Sequence, residues 1–201
     1  MLSADETARG ARFGPAALRE RYIIGRGTLR GLLSDALGVP PAEIAIVRGR
    51  RGRPQVKDIP GVDFNVSHTR DIAVYAIGLG LPAEIRLGID VEHVDRAIDA
   101  DRVARKILTE HERGRWSSLS PDARRIAFVT TWTCKEAMSK ATGDGLSAPF
   151  GKISIEDGDP PRVVDGPARY GPAYWRLHRA MLPPGYVVTV AVHTSPGEPM
   201  R

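Results

Sequence analysis

The 201-residue chain is 42% hydrophobic and 26% charged, the balance of an ordinary soluble domain long enough to bury a core of its own. No apolar run approaches the roughly 20 residues of a membrane-spanning helix, and "MLSADETARGARFG" lacks the apolar segment of a secretory signal, so a cytoplasmic protein with no membrane partner is expected. The net charge of +5 rests mainly on arginine and suits an anionic partner (a phosphorylated cofactor, nucleic acid or an acidic protein), while the single cysteine, Cys134, excludes an internal disulfide.

In chain order, Leu18, Tyr22, Leu29, Leu32, Leu33 and Leu37 give residues 15–37 a helical spacing that Gly38 and Pro40 end. "AEIAIVRG" (42–49) reads as a strand and "RGRRGRP" (48–54) as a basic, glycine-rich turn. "DFNVSHT" (63–69) is a strand ending in polar residues, "IAVYAIG" (72–78) a second and "RLGIDVEHV" (86–94) a third. Residues 100–116 look helical. A longer helix is announced by Ser120 as cap and Pro121 in its first turn, with Gly143 after its end. Strands at 152–155, 174–178 and 186–193 follow, separated by glycine-proline turns. Helix followed by strands, twice over, predicts an α+β protein of two similar halves, residues 1–84 and 85–201.

Three polar sets stand out. In "GIDVE", strand alternation puts Asp90 and Glu92 on one face, about 7 Å apart. Either that face is solvated, or a hard cation such as Mg²⁺ or Mn²⁺ sits between oxygen ligands, since no histidine or cysteine spacing suits zinc. In "TWTCKEAMSKATGDGL" (131–146), Cys134, Ala137, Met138 and Ala141 share the core arc, and Lys135, Glu136, Ser139 and Lys140 the opposite one, with Trp132 among them. Glu136 and Lys140 are either a helix-surface ion pair or a cleft pair, with Glu136 as a third carboxylate and the lysines set for phosphate oxygens. In "FNVSHT", His68 closes a strand, where it is structural or functional. Carboxylates and cations with no nucleophile–base pair suit metal-assisted phosphoryl or phosphodiester transfer to a nucleophile carried by a substrate.

In the order "GRP…FNVSHT…GIDVE…WTCKEAMSKATGDGL", these segments closely resemble the 4′-phosphopantetheinyl transferases of the surfactin-synthetase-activating type, from about Leu2 to Phe150. The resemblance implies two pseudo-symmetric α/β halves with coenzyme A and Mg²⁺ (or Mn²⁺) in the cleft between them. It also implies transfer of phosphopantetheine to a serine of an apo acyl or peptidyl carrier domain, with release of adenosine 3′,5′-bisphosphate. Residue by residue, it assigns Asp90, Glu92 and Glu136 to the metal and His68, Lys135 and Lys140 to the phosphates. Glu136, Lys140 and His68 are then the catalytic candidates, and Arg53 stands where the family usually has lysine. Arg21 and Arg26 fall in the first-helix motif as candidates for the nucleotide.

Family members usually place a further strand before "LSADE", so the first half is expected to lack an edge strand, or to start upstream. Val103, Ile107 and Leu108 are expected to supply the carrier-docking surface. A monomer without nucleic acid is expected. A non-catalytic RNA- or DNA-binding module is the alternative of another class; it lacks a row of exposed aromatics on its strands and leaves three acids unexplained.

Overall fold

The computed structural model describes residues 1–96 and 100–195. Two helices open the chain, α1 (Ala4–Ala11) and the 22-residue α2 (Ala16–Leu37), followed by two antiparallel hairpins, β1 (Ile46–Arg48) with β2 (Pro54–Val56) and β3 (Asp63–Thr69) with β4 (Ile72–Gly78). Then come β5 (Ile85–His93), the short helices α3 (Ala100–Ile107) and α4 (Glu110–Ser117), and the 22-residue α5 (Pro121–Thr142). The chain finishes with the pair β6 (Ser154–Glu156) and β7 (Arg162–Asp165), then β8 (Trp175–Arg179) and β9 (Tyr186–Thr194). Strands β5, β9 and β8 form one antiparallel sheet in that order. The architecture is the α+β one expected: each half sets one long helix beside antiparallel strands.

Local chemistry sets most of the boundaries. Gly38 and Gly143 stand just past the two long helices with φ of +67° and +74°, left-handed values that glycine adopts without a steric cost. The helix expected over 100–116 is instead two. Thr109 caps α4 in a reciprocal box with Glu112, so its side chain replaces the helical bonds that would have continued α3. Ser120 does occupy the N-cap of α5, though its side chain makes no capping bond. Helix α1 and strands β2 and β7 were not anticipated; α1 rests on a second capping box, between Ser3 and Glu6, in a stretch with little apolar periodicity.

The main core lies between α5 and the β5-β9-β8 sheet, with Phe128, Cys134, Ala137, Met138, Trp175, Leu177 and Ala191 among its members. Helix and strand touch at Gly88, where a β-carbon would lie 1.9 Å from the Ala137 carbonyl oxygen. Ile107 and Leu108 belong to this core at 5% and 2% exposure, with Val103 packed against it, which corrects the expectation that these residues form a docking surface. A smaller core of Leu29, Leu33, Ile44, Val56 and Phe64 holds the first half together.

Strands β3 and β5 lie side by side without a backbone ladder; side chains take its place. Asp63, Asn65 and Ser67, alternate residues on one face of β3, accept from the amides of Leu87 (2.6 Å), Ile89 (3.0 Å) and Val91 (3.3 Å). Arg53 closes the near end of this zipper. Its guanidinium donates to both Asp63 oxygens at 2.7 and 2.8 Å, to the Leu87 carbonyl at 2.6 Å and to the Lys140 carbonyl at 3.1 Å.

Candidate active site

The far end of the zipper opens into a cleft of about 370 Å³, walled by Val66, Ser67 and His68 from the first half and by Asp90, Glu92, Arg96, Trp132, Glu136, Lys140 and Leu146 from the second. Helix α5 is buried nearly all round along this stretch. Of its half-buried residues here, Trp132, Glu136 and Lys140, spaced four residues apart and so stacked on one stripe, are the ones that line the opening.

Lys140 is the hub. Its ammonium donates to Ser67 Oγ (2.7 Å), Asp90 Oδ1 (2.7 Å) and the Ile89 carbonyl (3.1 Å). Ser67 in turn donates to Asp90 Oδ1 at 2.9 Å. The second oxygen, Asp90 Oδ2, is buried and has no partner. Burial pushes the Asp90 carboxyl up from its ordinary value, and Lys140 and Ser67 only partly oppose that. Glu136 is pushed up as well, first by burial and then by the Asp90 charge, and no hydrogen bond or ion pair engages it among the described residues. Glu92 is occupied, accepting from Thr69 Oγ1 at 3.1 Å and pairing with Arg96. His68 is exposed on the cleft wall.

Lys135 requires a correction. It adjoins Glu136 in sequence, but one helical step turns it about 100° away, into the interior at 1% exposure. There it donates to Glu112 (2.6 Å) and to the carbonyls of Ile107 (2.7 Å) and Phe150 (3.0 Å). Burial lowers its pKa against the opposing pull of Glu112. It braces the α3–α4 corner and takes no part in the cleft. Ser139, expected on the same polar arc, is also fully buried and donates to the Gly145 carbonyl. Arg53 is already engaged by the zipper, Arg26 pairs with Glu6 at 3.1 Å, and Arg21 donates to the Arg70 carbonyl; none of the three lines the cleft.

Ser67, Thr69 and Arg96, which contact Asp90 or Glu92, had not been singled out. The first two belong to the polar alternation Asp63, Asn65, Ser67, Thr69, which in sequence looks the same as the solvated face of a hairpin; the burial of its first three members is what sets it apart. Arg96 lies beyond the end of β5, and no sequence pattern marks it.

The residues present fit a divalent cation in part. The unpartnered Asp90 oxygen and the unengaged Glu136 carboxyl, close enough that the Asp90 charge raises Glu136, are hard oxygen donors in want of a positive neighbour. As they stand, no three acidic, histidine or cysteine side chains among the described residues are gathered to hold a metal, because Glu92 is turned to Thr69 and Arg96.

A cleft of carboxylates and a lysine between two α+β halves defines a class of group-transfer enzyme, and comparison with known proteins narrows it. The family model described as the 4′-phosphopantetheinyl transferase superfamily matches residues 86–191, and the one described as 4′-phosphopantetheinyl transferase, N-terminal, matches residues 1–78. The chain belongs to the 4′-phosphopantetheinyl transferase superfamily and is a transferase of that kind. It is 32% identical to the 4′-phosphopantetheinyl transferase HetI of Nostoc sp., over 95% of this chain and 78% of that protein. To the transferase Sfp of Bacillus subtilis strain 168 it is 23% identical, over 94% and 81%. The narrower surfactin-synthetase-activating type is therefore not singled out by similarity. Among solved structures, a holo-(acyl-carrier-protein) synthase from Bacillus anthracis in complex with CoA (3′,5′-ADP) is 24% identical, covering 55% of this chain and 96% of that one with a TM-score of 0.45. No helix among the described residues is long and apolar enough to cross a membrane.

Proposed function

We propose that the protein moves 4′-phosphopantetheine from coenzyme A to a serine of an apo acyl or peptidyl carrier domain, in the cytoplasm, as a monomer of the surfactin-synthetase-activating type without nucleic acid. The observation that carries this reading is the buried, unpartnered Asp90 Oδ2 beside the unengaged Glu136 and the ammonium of Lys140. The monomer is supported by one chain supplying both cleft walls.

Asp90 and Glu136, joined by Glu92 once it leaves Arg96, would hold Mg²⁺ (or Mn²⁺), which when bound supplies charge neutralisation and Lewis acidity toward the pyrophosphate. The rest is the work of the chain's own groups. Lys140, poised on Asp90, is within a side-chain swing of an anion in the cleft and offsets charge on the leaving phosphate; the His68 imidazole offers a further donor from the opposite wall. The serine oxygen bonds to the phosphorus that carries pantetheine as the anhydride bond breaks, and adenosine 3′,5′-bisphosphate leaves with the electron pair. The serine proton passes to Glu136 or to a water that the bound cation would polarise. The family resemblance assigns Arg21 and Arg26 of α2 to the nucleotide end of coenzyme A, which would draw them from the Arg70 carbonyl and Glu6.

Incubation of the protein with coenzyme A, Mg²⁺ and an apo carrier domain should raise the carrier's mass by one phosphopantetheine. EDTA and Asp90→Ala should each abolish the gain. An unchanged mass with acyl and peptidyl carriers alike would overturn the proposal.

A further inference from the structure

Arg96 lies in the cleft, yet the reaction as described leaves it without a role. Its guanidinium pairs with Glu92, rests 5.8 Å from the centre of the Trp132 ring and stays 41% exposed. A cation over an indole face is attracted most strongly at the ring centre, but at an exposed site the attraction is weak enough for a dianion to draw the guanidinium away. The cleft thus holds three carboxylates against two internal cations, Lys140 on Asp90 and Arg96 on Glu92.

That balance constrains what can enter. A pyrophosphate alone meets a surplus of carboxylate, and a divalent cation alone finds Glu92 already engaged by Arg96 and Asp90 by Lys140. Entering together, they add two charges of each sign and leave the balance unchanged. We infer that Arg96 is an exchangeable counter-ion that couples the two ligands: it shields Glu92 from a metal until a pyrophosphate draws it across the Trp132 face, and only then is Glu92 free to join Asp90 and Glu136. Arg96 is in this sense a positioning residue acting through Glu92. The inference rests on the proposed use of coenzyme A and a divalent cation.

The test is Mn²⁺ binding, followed by the paramagnetic resonance signal of free Mn²⁺, with and without coenzyme A. In the wild type, coenzyme A should tighten Mn²⁺ binding strongly. Arg96→Ala should bind Mn²⁺ alone more tightly by about 5-fold or more, with the effect of coenzyme A reduced by the same factor. Arg96→Lys, which keeps the charge, should follow the wild type. So should Arg125→Ala, which removes an arginine paired with Asp95 and Asp122 outside the cleft. Mn²⁺ binding that is unchanged or weaker in Arg96→Ala would overturn the inference and make Arg96 a brace for Glu92; an equal gain in Arg125→Ala would reduce it to general charge. A wild type that binds no Mn²⁺ even with coenzyme A would instead remove the functional reading itself, and the coupling with it.

Discussion

The two long helices have the same length and opposite surroundings. Ten residues of α5 are buried, from Phe128 to Ala141, against three of α2, Leu29, Arg30 and Leu33, so the cleft has one fixed wall and one attached wall. On α2, Leu18, Ile24 and Leu32 remain exposed, whereas on the described part of α5 near the site only a stripe of three half-buried residues looks outward. The carboxylates and Lys140 therefore sit on the wall whose own core holds it. His68 sits on the other, which reaches its partner through side chains: Asp63, Asn65, Ser67 and Thr69 in a row, with Arg53 at the end. Geometry that must be accurate to a fraction of an ångström is built on the better-packed side.

The sharpest way to break this contrast is at Gly88. A β-carbon there would lie 1.9 Å from the Ala137 carbonyl, which belongs to a fixed helix backbone rather than to a flexible side chain. Gly88→Ala should lose at least about 4 kcal/mol in urea unfolding, as overpacking at a backbone contact does at its worst. Lys135→Met comes next. Removing one partner of a buried pair leaves Glu112 without its counter-charge and should cost about 3–5 kcal/mol, with transfer activity per folded molecule largely kept. On the attached wall, Asn65→Ala leaves the buried Ile89 amide without an acceptor, for about 1–3 kcal/mol. Because it loosens the joint between the walls, it should also raise the KM for coenzyme A more than it lowers kcat.

Little of this second layer could be read from the sequence. Helix ends at Gly38 and Gly143, the strands carrying "FNVSHT" and "GIDVE", and the inward arc of Cys134, Ala137, Met138 and Ala141 are local properties, and local rules found them. Lys135 was misplaced because a helix buried on nearly all sides has no polar arc to read, and the acid that satisfies this lysine, Glu112, is 23 residues away. The split after Ile107 depended on whether Thr109 and Glu112 would cap a helix or continue one, a choice settled by packing of the corner against Ile155, whose amide also binds Glu112. The zipper's alternation was legible, but not its burial or its partner strand.

A further effect, dependent on pH, lies where α1 meets α2, at the pair of Glu6 with the buried Arg30. Burial alone would raise the Glu6 carboxyl, but the Arg30 hydrogen bond, the Ser3 amide and the charges of Arg26 and Arg30 outweigh it and hold the pKa below the ordinary value. The unfolded chain then takes up this proton more readily than the folded one, so the contribution is fully present at neutral pH and is lost as the pH falls through the carboxylate range, below about pH 4. Glu6→Gln keeps a hydrogen-bond acceptor but takes the counter-charge from the buried Arg30, so it should lower stability at pH 7 by about 1–3 kcal/mol and flatten its decline in acid, as followed by urea midpoints across that range.

The central claim is that the fixed wall does the chemistry at Glu136 and not at its neighbour Lys135. The direct measurement is the rate of adenosine 3′,5′-bisphosphate release from coenzyme A in the presence of an apo carrier domain, for Glu136→Ala and Lys135→Met, each scaled to its folded fraction. A loss of about 100-fold or more in Glu136→Ala, with Lys135→Met close to wild type, is the result predicted. A comparable loss in Lys135→Met, or a Glu136→Ala enzyme that turns over normally, would contradict it.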